Sequence, residues 1–147
     1  MIDPYSSEVL KPLYVKDGSR RKKLLEEAEN IPSIVISSAA ATNAVMLGGG
    51  YFNPLTGYMD LEDVIGVAEQ MRLHSGLFWP TPIVNMVREN SLPEEVKPSC
   101  KIALRDPNVE GNPVIAVQAV DKIEIVTKKQ IGEILKHVYG TTDHKHP

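Results

Sequence analysis

The sequence predicts an α+β fold, and three observations carry that reading. Apolar residues recur at helical spacing in three stretches: Leu24, Leu25 and Ala28; Leu61, Val64, Ile65, Ala68 and Met71; and Ile131, Ile134, Leu135 and Val138. Ile34-Val35-Ile36 is β-branched and apolar throughout, which suits a short buried strand better than a helix. Lys101 to Asp106 and Pro113 to Val120 read as two strands joined by an Asn/Pro/Gly-rich stretch, a long-looped hairpin.

Taken in order, Leu10 to Val15 reads as a short extended edge segment, since proline is tolerated at an edge. Asp17 or Ser19 caps a surface helix running to about Asn30, with one narrow apolar stripe. After the Ile34 strand, Ser37 or Ser38 caps an alanine-rich helix that Gly48 terminates. Asp60 caps the next helix, Asp63 adds charge to its first turn, and Met59 with Val64 occupy the positions of a hydrophobic staple. That helix ends near Arg72. Ile83 to Val87 reads as a strand entered through Pro80 and Pro82, with Phe78 and Trp79 anchoring the preceding loop, and Arg88 to Ser99 as a surface loop. The second hairpin arm is apolar on both faces, which places it inside the sheet, and Ile123 and Ile125 extend the strand pattern. Thr127 to Gln130 forms a capping box for the last helix, which Gly140 stops.

Composition narrows the class. The 147 residues are 42% hydrophobic with mixed charges, enough for one soluble domain with a real core. No apolar run reaches the length of a membrane span, and Met1 to Pro12 lacks the pattern of a signal peptide. A net charge of -3 does not draw the chain toward nucleic acid or an anionic membrane, so neither is expected as a partner. Arg20-Arg21-Lys22-Lys23 is followed at helical spacing by Glu26, Glu27 and Glu29 and reads as a solvated helix face. The single Cys100 cannot form an internal disulfide, in keeping with a cytoplasmic location, and is expected to be partly buried.

Gly48-Gly49-Gly50-Tyr51-Phe52-Asn53-Pro54-Leu55-Thr56-Gly57-Tyr58-Met59 is unlike an ordinary connector. Glycines, a proline and three aromatics between two helices predict a rigid, buried elbow, with Phe52 and Leu55 in the core and φ > 0 at Gly50 or Gly57. The same stretch resembles the G-x-F-x-P-L-x-G-F-M pattern near the start of ATP sulfurylases (sulfate adenylyltransferases), with Tyr58 in place of the usual Phe. Leu104-Arg105-Asp106-Pro107 with Gly111 and Ala116, and the terminal Gly140-Thr141-Thr142-Asp143-His144-Lys145-His146-Pro147, agree with that family in the same order. The segment Pro107 to Pro113 is most similar to versions from sulfur-oxidising bacteria.

The resemblance implies a PUA-like domain, a small mixed β-barrel decorated with helices, over residues 1–139, with 140–147 starting a linker to a missing catalytic domain. In such an enzyme ATP and sulfate give adenosine 5′-phosphosulfate and pyrophosphate, or the reverse in sulfur oxidation, with magnesium on the nucleotide. The domain would support the catalytic part and the subunit contacts of a homo-oligomer. Gly50, Phe52, Pro54, Leu55, Gly57 and Trp79 mark the elbow and the loop expected to meet that neighbour.

No complete catalytic set is legible. The triple glycine ends a helix and lacks the Gly-Lys-Ser/Thr of a phosphate loop. Gln70-Met71-Arg72-Leu73 matches half of the family's Q-x-R-N, His144 and His146 have the wrong spacing for H-x-x-H, and Leu104-Arg105-Asp106 lacks the glycine of G-R-D. No catalytic, cofactor-binding or metal residue is therefore assigned in this chain. His74, beside Ser75-Gly76, reads as an exposed turn residue, and His144 and His146 as part of a solvated linker. Two other classes stay open: an RNA-binding PUA-like module, and a small independent enzyme with an unrecognised site.

Overall fold

In a computed structural model, residues 3–7, 9–143 and 145 are described. They fall into two compact units, Met1–Tyr58 with Asn85–Ile123, and Met59–Val84 with Glu124–Pro147.

The first unit is built on a three-stranded mixed sheet. Helix α1 (Gly18–Ala28), strand β1 (Ser33–Val35) and helix α2 (Ser38–Gly49) come first, followed later by β2 (Lys101–Arg105) and β3 (Val114–Ala119). The strand order is β1-β2-β3, with β1 parallel and β3 antiparallel to β2. Register pairs Ile34 with Leu104 and Leu104 with Ala116, and a bulge falls between Leu104 and Arg105. Ile102, Ala103 and Leu104 are all buried, the pattern of a strand covered on both faces. Their neighbours in the core are Ile34, Ile36, Ala40, Ala41, Val96 and Val120, against which Tyr58 and Cys100 pack, half-buried.

Three expectations change here. The central strand is β2, and the apolar second arm, β3, lies at an edge, where Val117 is exposed. Apolar content on both faces does not fix a strand's place in the order, and no residue of β3 is fully buried. Among the described residues the sheet stays open and does not close into a ring. Leu10 to Val15 forms no ladder; its Leu13 and Tyr14 amides donate instead to the Gly48 carbonyl, at 2.9 and 3.0 Å.

Local chemistry sets the helix ends. The Asp17 carboxylate accepts from the Arg20 amide (2.6 Å) and the Ser37 hydroxyl from the Ala40 amide (3.1 Å), each satisfying an amide with no carbonyl partner in its helix. Helix α1 buries only Ala28, and its basic run is solvated as expected. Glu29 reaches across to Arg105 at 2.9 Å.

The second unit pairs α3 (Leu61–Gln70) with α4 (Lys128–Tyr139). Asp60 caps α3 through the Asp63 amide (3.1 Å), and Thr127 with Gln130 forms the reciprocal capping box of α4. Val64 and Val67 bury the inner face of α3, joined in this unit's core by Leu73, Trp79 and Ile83. Met71, expected on that face, takes a left-handed conformation (φ 54°) at the C-cap, which turns its side chain out into solvent. Ile83 to Val87 is not a strand: Ile83 is tied to Met59 through two bonds from backbone groups, and Met86 and Val87 are exposed. Ile123 and Ile125 likewise lie outside any strand, Ile125 79% exposed, because no neighbouring strand offers them a ladder. Alternation alone cannot supply a pairing partner.

Gly66 sits where the returning chain touches α3. A Cβ there would lie 2.7 Å from the Arg72 carbonyl oxygen, a backbone atom that cannot rotate away. Gly132 in α4 has nothing within 4 Å. Gly66→Ala is expected to lose about 1–3 kcal/mol in denaturant melts, whereas Gly132→Ala gains up to about 1 kcal/mol from helix propensity. Equal responses at the two sites would refute the close approach.

Candidate functional site

The elbow is fixed by several independent local contacts. Helix α2 ends at Gly50, which has φ 79° and whose amide bonds the carbonyls of Met46 and Leu47. A Cβ at Gly50 would meet Leu10 Cδ1 at 3.1 Å, so that position needs glycine for its conformation and has little space besides. The chain then turns twice, with the Asn53 amide on the Gly50 carbonyl (3.1 Å) and the Leu55 amide on the Phe52 carbonyl (2.7 Å). The Asn53-Pro54 peptide is cis. Asn53 Nδ2 donates to the Tyr5 carbonyl (3.1 Å) and to Ser7 Oγ (2.6 Å), fastening the N-terminal segment to the elbow.

Of the expected elbow features, φ > 0 at Gly50 is found, while Gly57 is not among the positive-φ residues. Phe52, Pro54 and Leu55 are half-buried and not core, and Tyr51 is 75% exposed. The elbow is held by backbone hydrogen bonds and by Asn53, which need no burial of its aromatics. Tyr58 is the aromatic that turns inward, its hydroxyl donating to the Ala40 carbonyl at 2.8 Å, and burial pushes its pKa up to about 12.

Arg105 anchors a second network. Its guanidinium donates to Ser33 Oγ (3.1 Å), the Asn112 carbonyl (3.3 Å) and Glu29 Oε2 (2.9 Å). Asp106 Oδ1 accepts from both the amide and the side chain of Asn108, and Asn108 Oδ1 accepts from Ser38 Oγ. These bonds occupy Arg105 in holding the hairpin loop to β1 and α1. That role was not legible from the tripeptide Leu104-Arg105-Asp106, because Ser33 and Glu29 lie far away in sequence.

In the second unit Trp79 is 6% exposed and belongs to the core, while Phe78 beside it is exposed. The loop is held by the Trp79 amide on the Met71 carbonyl (2.8 Å) and the Leu73 amide on the Leu77 carbonyl (2.9 Å). His74 is exposed as expected but not idle. Asp63 Oδ1 takes the His74 amide (2.7 Å) and faces the ring Nδ1 (2.8 Å). Hydrogen bonding to the Asp63 carboxylate, then its charge, raises the His74 pKa above the ordinary histidine value.

Among the described residues no three His, Cys, Asp or Glu side chains gather into a set that could hold a metal ion. His144 and His146 lie outside those residues. No helix among them is long and apolar enough to cross a membrane. A groove of about 330 Å³ is lined by Leu24, Glu27, Ala28, Asn30, Ile31, Lys101 and Val117, its exposed walls mostly apolar. The arrangement is that of an α+β scaffold with fixed surface turns.

The comparisons with known proteins make that class specific. Residues 2–147 match the PUA-like domain family, and the chain belongs to it. It is similar to the sulfate adenylyltransferase of Alcanivorax borkumensis, 49% identical over 147 residues, which are all of this chain and 36% of that protein. The sulfate adenylyltransferase of Allochromatium vinosum is 46% identical over 147 residues and again covered over 36% of its length. That of the Riftia pachyptila sulfur-oxidizing endosymbiont is 44% identical over 146 residues, 99% of this chain and 32% of that protein. The chain thus spans about a third of the length of these relatives. Among solved structures, the hexameric APS kinase from Thiobacillus denitrificans superposes with a TM-score of 0.69 at 28% identity, over 86% of this chain and 24% of that one. The expected resemblance, down to sulfur-oxidising bacteria, is borne out.

Two titrations follow from the geometry. The Tyr58 pKa is raised in the folded state, so its contribution to stability is complete below the ordinary value of 10.0 and is lost as pH rises toward about 12. Phenolate absorbance should show one of the five tyrosines ionising late, and Tyr58→Phe should remove that step. The His74 pKa is raised as well, so the stability it lends is present below the unfolded value near 6.5 and is lost as pH rises through the folded value. NMR titration of the His74 ring should show the upward shift, and Asp63→Asn should abolish it; a shift that survives the substitution would disprove the pairing.

Proposed function

We propose that this chain is the N-terminal, non-catalytic domain of a sulfate adenylyltransferase, with residues 140–147 leading toward the catalytic part. The observation that carries the reading is the 49% identity to such an enzyme over all 147 residues while only 36% of that enzyme is matched. In the intact protein ATP and sulfate would give adenosine 5′-phosphosulfate and pyrophosphate, or the reverse. The domain's work is support of the catalytic part and of subunit contacts in a homo-oligomer, a role supported by the hexameric state named for the similar APS kinase. Its setting is the cytoplasm, in accord with the lone Cys100.

Joining two anions needs positioned cationic and amide donors, with magnesium to neutralise the nucleotide. The arginines of the two half-matched motifs are already engaged within the chain: Arg105 by Glu29, Ser33 and the Asn112 carbonyl, and Arg72 Nη1 by the Gly76 carbonyl. Among the described residues no three His, Cys, Asp or Glu side chains gather into a set that could hold a metal ion. No step of the reaction is assigned to this chain.

The test is a pyrophosphate-release assay on the 147-residue chain beside the longer polypeptide of the same gene. Loss of one such donor typically costs on the order of a hundredfold in rate, so the short chain is expected to be silent and the longer one active. Turnover by the short chain would show that the active site lies within it, and silence from both would remove the enzymatic reading.

A further inference from the structure

Strand β3 leaves one edge of the sheet open. In β2 the Ala103 amide donates to the Pro32 carbonyl and the Arg105 carbonyl accepts from the Ile36 amide, so these two residues turn their backbone groups toward β1. Ile102 and Leu104, which alternate with them, turn theirs toward β3 and meet Gln118 and Ala116. The Val120 amide on the Cys100 carbonyl (2.9 Å) continues that alternation. Val117 and Ala119 therefore point their N–H and C=O groups away from the sheet, and among the described residues no other backbone group meets them.

The edge carries none of the usual protection. From Val114 to Val120 the chain reads Val-Ile-Ala-Val-Gln-Ala-Val, with neither a charge nor a proline, although edge strands are ordinarily blunted by one or the other. Lys101, Ala103, Val117 and Ala119 share the face on which α1 lies, yet of these only Ala103 is sealed; Val117 is 36% exposed and Ala119 is exposed too. Glu27 and Lys101 line the groove beside Val117, and no ion pair joins them.

We propose that β3 pairs antiparallel with β3 of a second copy of this chain across a two-fold axis, joining the two three-stranded sheets into one. The inference deepens the subunit-contact role given under Proposed function and rests on that reading. The free groups set the register. With Gln118 opposite Gln118 of the copy, Val117 lies opposite the copy's Ala119 and Ala119 opposite its Val117, so each outward N–H and C=O finds a partner. No like charges are opposed, because the strand has none. In this register Lys101, Ala119, the copy's Val117 and the copy's Ala103 stand in one row on the α1 face. Neighbouring strands lie about 4.8 Å apart, so the Lys101 side chain extends over the copy's Val117 toward the Glu27 that lines the groove there. The ion pair absent within one chain forms between two. An unrelated extended peptide would meet the backbone groups without returning this lysine, and setting Val117 opposite itself would take Lys101 out of that row.

Sedimentation velocity of the 147-residue chain over a range of concentrations tests the proposal. One strand-to-strand contact is small for two free proteins, so the apparent mass should climb from one chain toward two as concentration rises. Lys101→Glu and Glu27→Lys should each abolish that climb. Mixing the two variants should restore it, because only the mixed dimer opposes unlike charges at both ends. Ala119→Pro, which removes an outward N–H and no bond of the ladder, should abolish it as well. In a Cys100→Ser background, Gln118→Cys should cross-link to its copy on oxidation, since opposed residues of a non-hydrogen-bonded pair lie within disulfide reach. A mass of one chain at every concentration overturns the proposal. So does failure of the mixed variants to associate, or cross-linking through Val117→Cys in place of Gln118→Cys. In the longer polypeptide, pyrophosphate release without cross-linking of Gln118→Cys removes the interface and leaves the enzymatic reading standing; cross-linking without turnover does the reverse.

Discussion

The left-handed conformation at Gly50 is the constraint on which the first unit depends. It stops α2, and its missing side chain leaves room for Leu10 and Pro12 to cross the helix end. The carbonyl of Gly48, left without a helical donor at this terminus, is satisfied by two amides of the N-terminal segment. One helix terminus therefore organises three pieces of chain: α2, the segment before α1, and the turns that follow. A side chain at Gly50 would strain the left-handed turn and press on Leu10 and Pro12.

Much of this was readable from residues whose chemistry is local. Asp17, Ser37, Asp60 and Thr127 each cap the helix they were expected to cap, because a side-chain oxygen one turn from free amides answers to nothing more distant. The hairpin of β2 and β3 was equally plain, its arms separated by a loop rich in turn-forming residues. Strand order was not. Val114 to Val117 is as apolar as a central strand, and only the pairing of β1 with β2 from the other side shows that β3 is the edge.

The elbow shows where sequence reasoning stops. Its motif identified a family and located a positive φ, but the inference from aromatic content to burial failed for Tyr51 and was only half right for Phe52. Residue size gives a cost of exposure, and it cannot say whether a partner or the chain itself relieves that cost. The same limit applied to Trp79 and Phe78, adjacent and both aromatic, of which one is in the core and the other is in solvent. Arg105 carried a further lesson, since its partners Ser33 and Glu29 come from elements that no local pattern connects to it.

The parallel pairing of β1 with β2 has a consequence for how the chain reaches this state. Ser33 and Arg105, joined side chain to side chain, are separated by 72 positions, so the pairing of β1 with β2 is a contact of long range. Such contacts are slow to form, because much loop entropy is lost before any of them is gained. During synthesis β1 emerges and waits while the whole of the second unit's first part follows it out of the ribosome. For that interval Ile34-Val35-Ile36 is a β-branched segment without its strand partner, and the short helices on either side of it, marginal on their own, gain their stability only when the sheet forms.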